Sequence, residues 1–205
     1  MISTERVLTT ERCVLRYPEL GDAPRLLALV THPAFPVDLP FAQLRSVEAV
    51  EGALRRRQER WQAGEGYNWC IDDRSSNDLI GMAGIRRGTP VDYWDLSFMI
   101  APERWRQGFA TETGRELLAL AFDALGAVVV EAGAAIWNAG SQAALTKLGF
   151  SFIAENAEGY SIQGRPIRTR EYDLRVDAWR SAEKSRSAEK SGSPDNPLAK
   201  SAPGR

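Results

Sequence analysis

The sequence predicts a single α/β domain of the α+β type, with a mixed, mostly antiparallel twisted sheet and helices on both faces. Three observations carry this. The runs Tyr67 to Asp72, Leu79 to Arg86 and Tyr93 to Ile100 follow one another with only turn residues between them, which reads as an antiparallel meander. Ala110, Gly114, Leu117, Leu118, Ala121 and Leu125 then fall at helical spacing, ahead of a valine-rich run from Ala127 to Val130 that continues towards Trp137, so a helix crosses to a parallel neighbour. The chain has 205 residues, 43% of them hydrophobic, and a compact domain of that size hides about 70% of its unfolded surface without a disulfide or metal.

The remaining elements follow from local signals. Cys13, Leu15 and Tyr17 alternate onto one face of a strand, and Asp22-Ala-Pro24 opens a helix that must stop before Pro33. After a loop punctuated by Pro33, Pro36 and Pro40, Ser46 caps a second helix whose Val47, Val50, Leu54 and Trp61 share a face and which ends at Gly64. Its other face carries Arg55, Arg56, Arg57 and Arg60, interleaved with Glu51 and Glu59 and followed by Glu65, and reads as solvated. Ala139 to Leu148 is a shorter helix closed by Gly149, and Phe150 to Ala154 pairs with Thr169 to Val176 in a hairpin around Gly164. The order is β-α-α-β-β-β-α-β-α-β-β. The domain is expected to span 1–180. Residues 181–205 contain no aromatic side chain, repeat Arg-Ser-Ala-Glu-Lys-Ser, and read as a disordered low-complexity tail.

Charge and composition remove several function classes. Twenty-six basic against twenty-seven acidic residues, a net charge of -1, argue against a broad grip on nucleic acid or anionic lipid. No apolar run approaches the ~20 residues of a membrane span, and Glu5 and Arg6 stand where a signal peptide would be apolar, so the expected address is the cytoplasm, as a monomer or homodimer. Cys13, Cys70 and the lone His32 cannot complete a metal cluster; the cysteines read as inert core thiols and His32 as a cap or loop residue.

Chemistry concentrates in Met99-Ile-Ala-Pro-Glu-Arg-Trp-Arg-Gln-Gly-Phe-Ala-Thr-Glu112, a strand that runs through a basic, glycine-containing turn into an amphipathic helix. Unsatisfied N–H groups at a helix start attract a phosphate or pyrophosphate; Gly108 allows close approach, and Arg104 and Arg106 add charge-assisted hydrogen bonds. The three-glycine dinucleotide fingerprint is absent, which argues against a dinucleotide oxidoreductase.

Four stretches in this order resemble the GNAT acyltransferase superfamily, in the branch of bacterial ribosomal-protein N-terminal acetyltransferases. They are Leu8 to Arg16, Leu79 to Ile85, Ala101 to Glu112, and Asn138 to Phe150, within a resemblance covering roughly Leu8 to Trp179. The resemblance implies that backbone amides along Trp105, Arg106, Gln107, Gly108, Phe109 and Ala110, continuing to Thr111, wrap the pyrophosphate of acetyl-CoA, the acyl donor, with no metal. Arg106 stands where a glycine is usual. A positive φ there would cost on the order of 1 kcal/mol; the reading favoured is that none is needed and that Arg106 adds a cation. The resemblance further implies that the pantetheine arm bonds backbone groups of Phe98, Met99 and Ile100 and passes towards Asn138, and that Ser141 protonates the departing thiolate.

The implied reaction is direct transfer of acetyl to a primary amine in a ternary complex. Asp95 matches a position where this branch often has a glutamate and is the expected proton acceptor, although a carboxylate with pKa near ~3.9 needs burial or a relaying water to serve at neutral pH. The acceptor expected is a protein N-terminal amine or a small-molecule amine, with the loop Pro33 to Phe41 and Trp69 lining its pocket. A non-catalytic CoA-binding or interaction module with the same fold is the alternative, motivated by Arg106.

Overall fold

In a computed structural model that describes residues 1–191, eight strands form one sheet: β1 (Leu8–Thr9), β2 (Cys13–Arg16), β3 (Gly66–Asp73), β4 (Leu79–Arg87), β5 (Tyr93–Ile100), β6 (Val129–Ala135), β7 (Ser151–Ile162) and β8 (Arg165–Arg175). The strand order is β1-β2-β3-β4-β5-β6-β8-β7, and every neighbouring pair is antiparallel except β5 with β6. Five helices complete the domain: α1 (Ala23–Val30), α2 (Val47–Ala63), α3 (Phe109–Ala119), α4 (Ala139–Leu148) and α5 (Val176–Ser191). The sequence signals act as read. The Ser46 hydroxyl accepts from the N–H of Ala49 at 3.2 Å, and left-handed Gly64 (φ 71°) and Gly149 (φ 97°) end α2 and α4.

Alternating side chains send two apolar sets to opposite faces. On one, Trp94, Leu96 and Ile100 of β5 join Val130 and Ala132 of β6 beneath α3, α4 and α5; on the other, Cys70, Met82 and Met99 pack against α1 and α2. Trp61 sits among Tyr17, Tyr67 and Trp69 with ring centroids 4.7–5.2 Å away, and its Nε1–H donates to the carbonyl of Ile2. Trp69 is fully buried in this cluster, so it does not line the acceptor pocket expected of it.

Three elements differ from expectation, the first being the short strand β1, which pairs with β2 ahead of the seven strands that the sequence signalled. The closing hairpin is far longer than its apolar pattern suggested, because β7 is almost wholly exposed and its Glu155, Asn156 and Glu158 carry no strand signature. Gln163 (φ 51°) and Gly164 (φ 78°) make its tight turn. The boundary expected at residue 180 falls inside α5. Ala, Glu, Lys and Arg are strong helix formers, and Glu183 meets Arg186 at 2.7 Å and Arg115 of α3 at 3.7 Å, while Arg186 lies over the buried Trp179. The rest of the expected tail, 192–205, lies outside the described residues.

A buried ion network anchors α1 to the sheet. Both oxygens of Asp22 accept from the Arg16 guanidinium at 2.7 and 2.9 Å, and Arg16 Nε donates to Asp72 at 2.6 Å. Burial alone would raise the Asp22 carboxyl, but Arg16, the N–H of Glu19 and the Cys70 thiol hold it below its ordinary value. A depressed folded value means that the stabilisation is present above the unfolded carboxyl range, near about pH 4, and is lost as pH falls through the folded value. Asp22→Asn should therefore lower stability by about 3 kcal/mol at pH 7, roughly 6–12 °C in Tm, with the gap to wild type narrowing in thermal unfolding as pH falls through the depressed folded value.

Candidate active site

Strands β5 and β6 are neighbours only at their start. Tyr93, Trp94 and Asp95 lie opposite Val129, Val130 and Glu131, and the pairing ends there, although β5 continues to Ile100 beside β4 and β6 continues to Ala135 beside β8. The strands part into an opening. The Gly88 N–H donates to the Tyr93 carbonyl and the Ala101 N–H to the Ile80 carbonyl, so alternation gives odd-numbered β5 residues to β4 and turns the backbone of Phe98 and Ile100 towards the opening. Met99, expected with them, bonds β4 instead. On β6 the Ile136 N–H donates to Arg168, which by the same rule turns Gly133 and Ala135 towards the opening. Backbone groups without a strand partner suit an extended, amide-bearing chain such as the pantetheine arm.

Each parting strand leads to a helix. From β5 the turn 101–108 enters α3, with Gly108 (φ 86°) at its N-cap and no capping side chain bond, so the first N–H groups of α3 remain available. Arg106 takes φ 59°. The expectation that its backbone needs no positive φ is thus corrected: left-handed residues flank Gln107 and curl successive N–H groups into an anion-binding concavity, at the expense of strain at a non-glycine residue. Trp105 Nε1–H donates to the Ile100 carbonyl at 2.7 Å, and Gln107 Nε2 donates to the Glu103 carbonyl, so these two side chains brace the turn.

Arg104 is also placed differently from expectation. Its guanidinium pairs at 3.1 Å with Asp73, whose carboxyl is held down by Ser75 first and then by Arg104. Arg106 is exposed and has no side-chain partner among the described residues, which makes it the available cation of the turn. His32, a loop residue as read, reaches Glu103 at 3.0 Å.

Sequence spacing did not reveal the prop behind the turn. Arg12, at the start of β2, donates from Nε to Glu112 at 2.7 Å and from Nη1 to the Gln107 carbonyl at 2.9 Å, with its guanidinium 4.4 Å from the Phe109 ring. Burial pushes the Glu112 carboxyl up, but the Thr10 hydroxyl and two donors of Arg12 hold it below the usual range. These groups are 100 residues apart in sequence, and only the quoted stretch Leu8 to Arg16 hinted at them.

From β6 the chain turns into α4. Asn138 fills the N-cap, its Oδ1 accepting from the Ser141 N–H at 3.1 Å, so Asn138 and Ser141 stand together at the end of β6. Phe109, Ala110 and Thr111 form the first turn of α3, Phe109 buried against the core. A β-carbon on Gly114 would lie 2.8 Å from Leu148, which shows how closely α3 and α4 pack.

On the α1 and α2 face, cross-strand register aligns Arg86, Asp95, Glu131 and Asp173 on four successive strands. The Arg86 guanidinium donates to Asp95 at 2.7 Å. Asp95 therefore lies at the root of the opening, one third exposed and engaged by an arginine, without the burial that its expected role requires. Glu131 is raised by burial first and then by Asp95, Asp173 and Glu171, so negative charge accumulates along this row. No acidic pocket was legible in the sequence, because its members come from separate strands. The loop between α1 and α2 spans towards the hairpin: the Tyr160 hydroxyl donates to the Asp38 carbonyl, Arg165 pairs with the Asp38 carboxylate, and Gln163 donates to Gln43. Because left-handed backbone costs a non-glycine residue about 1 kcal/mol, Arg106→Gly should raise Tm by about 2 °C in a melting scan.

The family model of the Acetyltransferase (GNAT) domain matches residues 12–151. A curated relative, the uncharacterized N-acetyltransferase YoaA of Bacillus subtilis, is 26% identical over 169 residues, covering 82% of this chain and 96% of its own. Among solved structures, RimL, a ribosomal L7/L12 alpha-N-protein acetyltransferase in complex with coenzyme A, superposes with a TM-score of 0.75 at 15% identity, covering 84% of this chain and 99% of its own. The microcin C7 self-immunity acetyltransferase MccE, in complex with acetyl-CoA and AMP, does so with a TM-score of 0.71 at 13% identity, covering 80% and 93%. With a parting parallel strand pair, a glycine turn at a helix start and this family match over most of its length, the chain belongs to the GNAT acetyltransferase family.

Proposed function

We propose that the protein moves acetyl from acetyl-CoA to a primary amine by direct attack in a ternary complex, with a protein N-terminal amine as the leading acceptor and a small-molecule amine behind it. The observation that supports this best is the opening between β5 and β6, bounded on the β5 side by the Arg106–Gly108 turn and the start of α3 and on the β6 side by Asn138 and Ser141. The N–H groups of Gly108, Phe109, Ala110 and Thr111 and the Arg106 guanidinium would hold the pyrophosphate. A β-carbon on Gly108 would meet only the Arg12 guanidinium, at an ordinary contact distance of 3.4 Å, so it is the backbone at φ 86° that calls for glycine there. Phe98 and Ile100 would bond the pantetheine amides, and Ser141, whose hydroxyl has no partner among the described residues, would give a proton to the departing sulfur.

The acidic row supports an amine, which reaches the site as a cation. An α-amino group with pKa near about 7.7–8.0 is partly neutral at pH 7, whereas a lysine at about 10.4 is only about 0.04% neutral, which favours N-terminal amines. Asp95, tied to Arg86, contributes negative potential at the root of the opening. Its proton-accepting role loses the support that burial would have given. That engaged carboxylate is what favours the second reading, a CoA-binding or interaction module without turnover.

Calorimetric titration with acetyl-CoA, with NAD as control, tests the donor site, and release of free thiol in the presence of an amine tests transfer. Saturable binding with turnover supports the enzyme; binding without turnover on any amine supports the module. Gly108→Val should abolish acetyl-CoA binding while the protein still melts cooperatively, because a β-branched residue resists φ 86°. Ser141→Ala should lower kcat by roughly 10-fold or more and leave the acetyl-CoA Kd within about twofold.

A further inference from the structure

Beyond the last paired residues of β5 and β6, the first β6 position on the acceptor face is Gly133. Its missing side chain leaves a space at the mouth of the opening that a neighbour fills. Glu171 of β8 is the cross-strand partner of Gly133, and its Oε2 lies 2.9 Å from where a β-carbon on Gly133 would stand. The other carboxylate oxygen accepts a hydrogen bond from the Thr169 hydroxyl, which fixes the orientation of the group. Opposite Glu171 on β7 stands Ala154, and no arginine or lysine pairs with Glu171 among the described residues. The charges that share its face are Glu131 beside it on β6, Asp173 two residues on in β8 with its partner Arg175, and Asp95 with its partner Arg86 farther back.

We propose that Glu171 is the proton acceptor of the transfer, taking the place expected of Asp95. The proposal rests on the acetyl-transfer reading above and assigns its missing base. Asp95 sits at the last pair before the strands part and is engaged by Arg86; Glu171 sits one step past that point, against Gly133 of β6, and carries no ion pair among the described residues. In the step, the acceptor ammonium gives one proton to the Glu171 carboxylate and becomes a neutral amine. Its nitrogen lone pair forms a bond to the acetyl carbon, and the carbon–sulfur bond breaks with its electron pair left on sulfur. The second proton lost by the nitrogen goes to that sulfur by way of Ser141, and Glu171 releases its proton to solvent. One ammonium and one thioester give one amide, one thiol and one proton.

Glu171→Gln in the full chain tests this, with acetyl-CoA as donor and two probe acceptors: a short peptide with a free N-terminal alanine, and spermidine. The expected result is a fall in kcat of about 100-fold, an acetyl-CoA Kd within about twofold of wild type, and loss of the acidic limb of the pH–rate profile. A relocation variant separates proton transfer from a structural role. Glu171→Gly should be inactive, and adding Gly133→Glu should restore at least about tenfold, because the carboxylate returns to the same space from the adjacent strand. Glu171→Gln at the wild-type kcat with an unchanged acidic limb overturns the assignment while leaving acetyl transfer intact. A wild-type chain that binds no acetyl-CoA, or acetylates neither probe, removes the transfer reading and the role of Glu171 with it.

Discussion

The end of the β5–β6 ladder after Asp95 and Glu131 is the constraint on which the site depends. Two parallel strands separate here without loss of the sheet because each keeps an antiparallel neighbour on its outer side, β4 for one and β8 for the other. The hydrogen bonds given up are confined to a few residues, chiefly the inward-facing groups of Phe98 and Gly133 and the N–H groups of Ile100 and Ala135, whose carbonyls accept from Trp105 and from Asn138 and Gln142 instead. Unpaired backbone groups are tolerated where solvent or a ligand can reach them, so an internal sheet position acquires the binding properties of an edge. The small residues of β6 from Ala132 to Ala135 keep side chains from refilling the space.

The two helices that follow the parted strands make the opening directional. Both α3 and α4 begin at the same end of the sheet, so their unsatisfied N–H groups and positive dipole ends bias that end towards anions. The carboxylates of Asp95, Glu131, Glu171 and Asp173 bias the opposite sheet face towards cations. The arrangement gives the two sides of the opening opposite signs of potential. Arg12 and Glu112 hold the polarity in place, because they tie β2 to the first turn of α3 and keep the glycine turn from relaxing.

Most of the architecture was legible in the sequence, because the α2 cap at Ser46, the terminators Gly64 and Gly149, and the meander signals are local. The glycine turn at the start of α3 was legible too, through Gly108 and the strand-to-helix transition. What could not be read were features assembled across strands. Asp95 looks like an isolated acid on its own strand, and only register shows Arg86 on one side and Glu131 on the other. Glu171 carries no motif; the role proposed for it depends on the absence of a side chain at Gly133, its partner on the adjacent strand, which reads in sequence as an ordinary strand glycine. The left-handed backbone of Arg106 went against its residue type, and the helix through 181–191 was hidden by a composition that also suits an unstructured tail.

The span from the α1–α2 loop to the β7–β8 turn has a consequence of its own. Leu39 and Phe41 of that loop pack with Met99 and Ala101 at the end of β5, while Tyr160 and Arg165 belong to the hairpin that extends beyond β6. The contacts that join them are polar and largely exposed, and the Arg165 guanidinium in the Asp38 pair is 66% accessible. An ion pair of that kind contributes little net stability and is screened as ionic strength rises. Of the contacts that join the loop to the hairpin, the Asp38–Arg165 pair is thus the one that salt weakens, whereas the strands beneath are held by ladders that salt does not weaken.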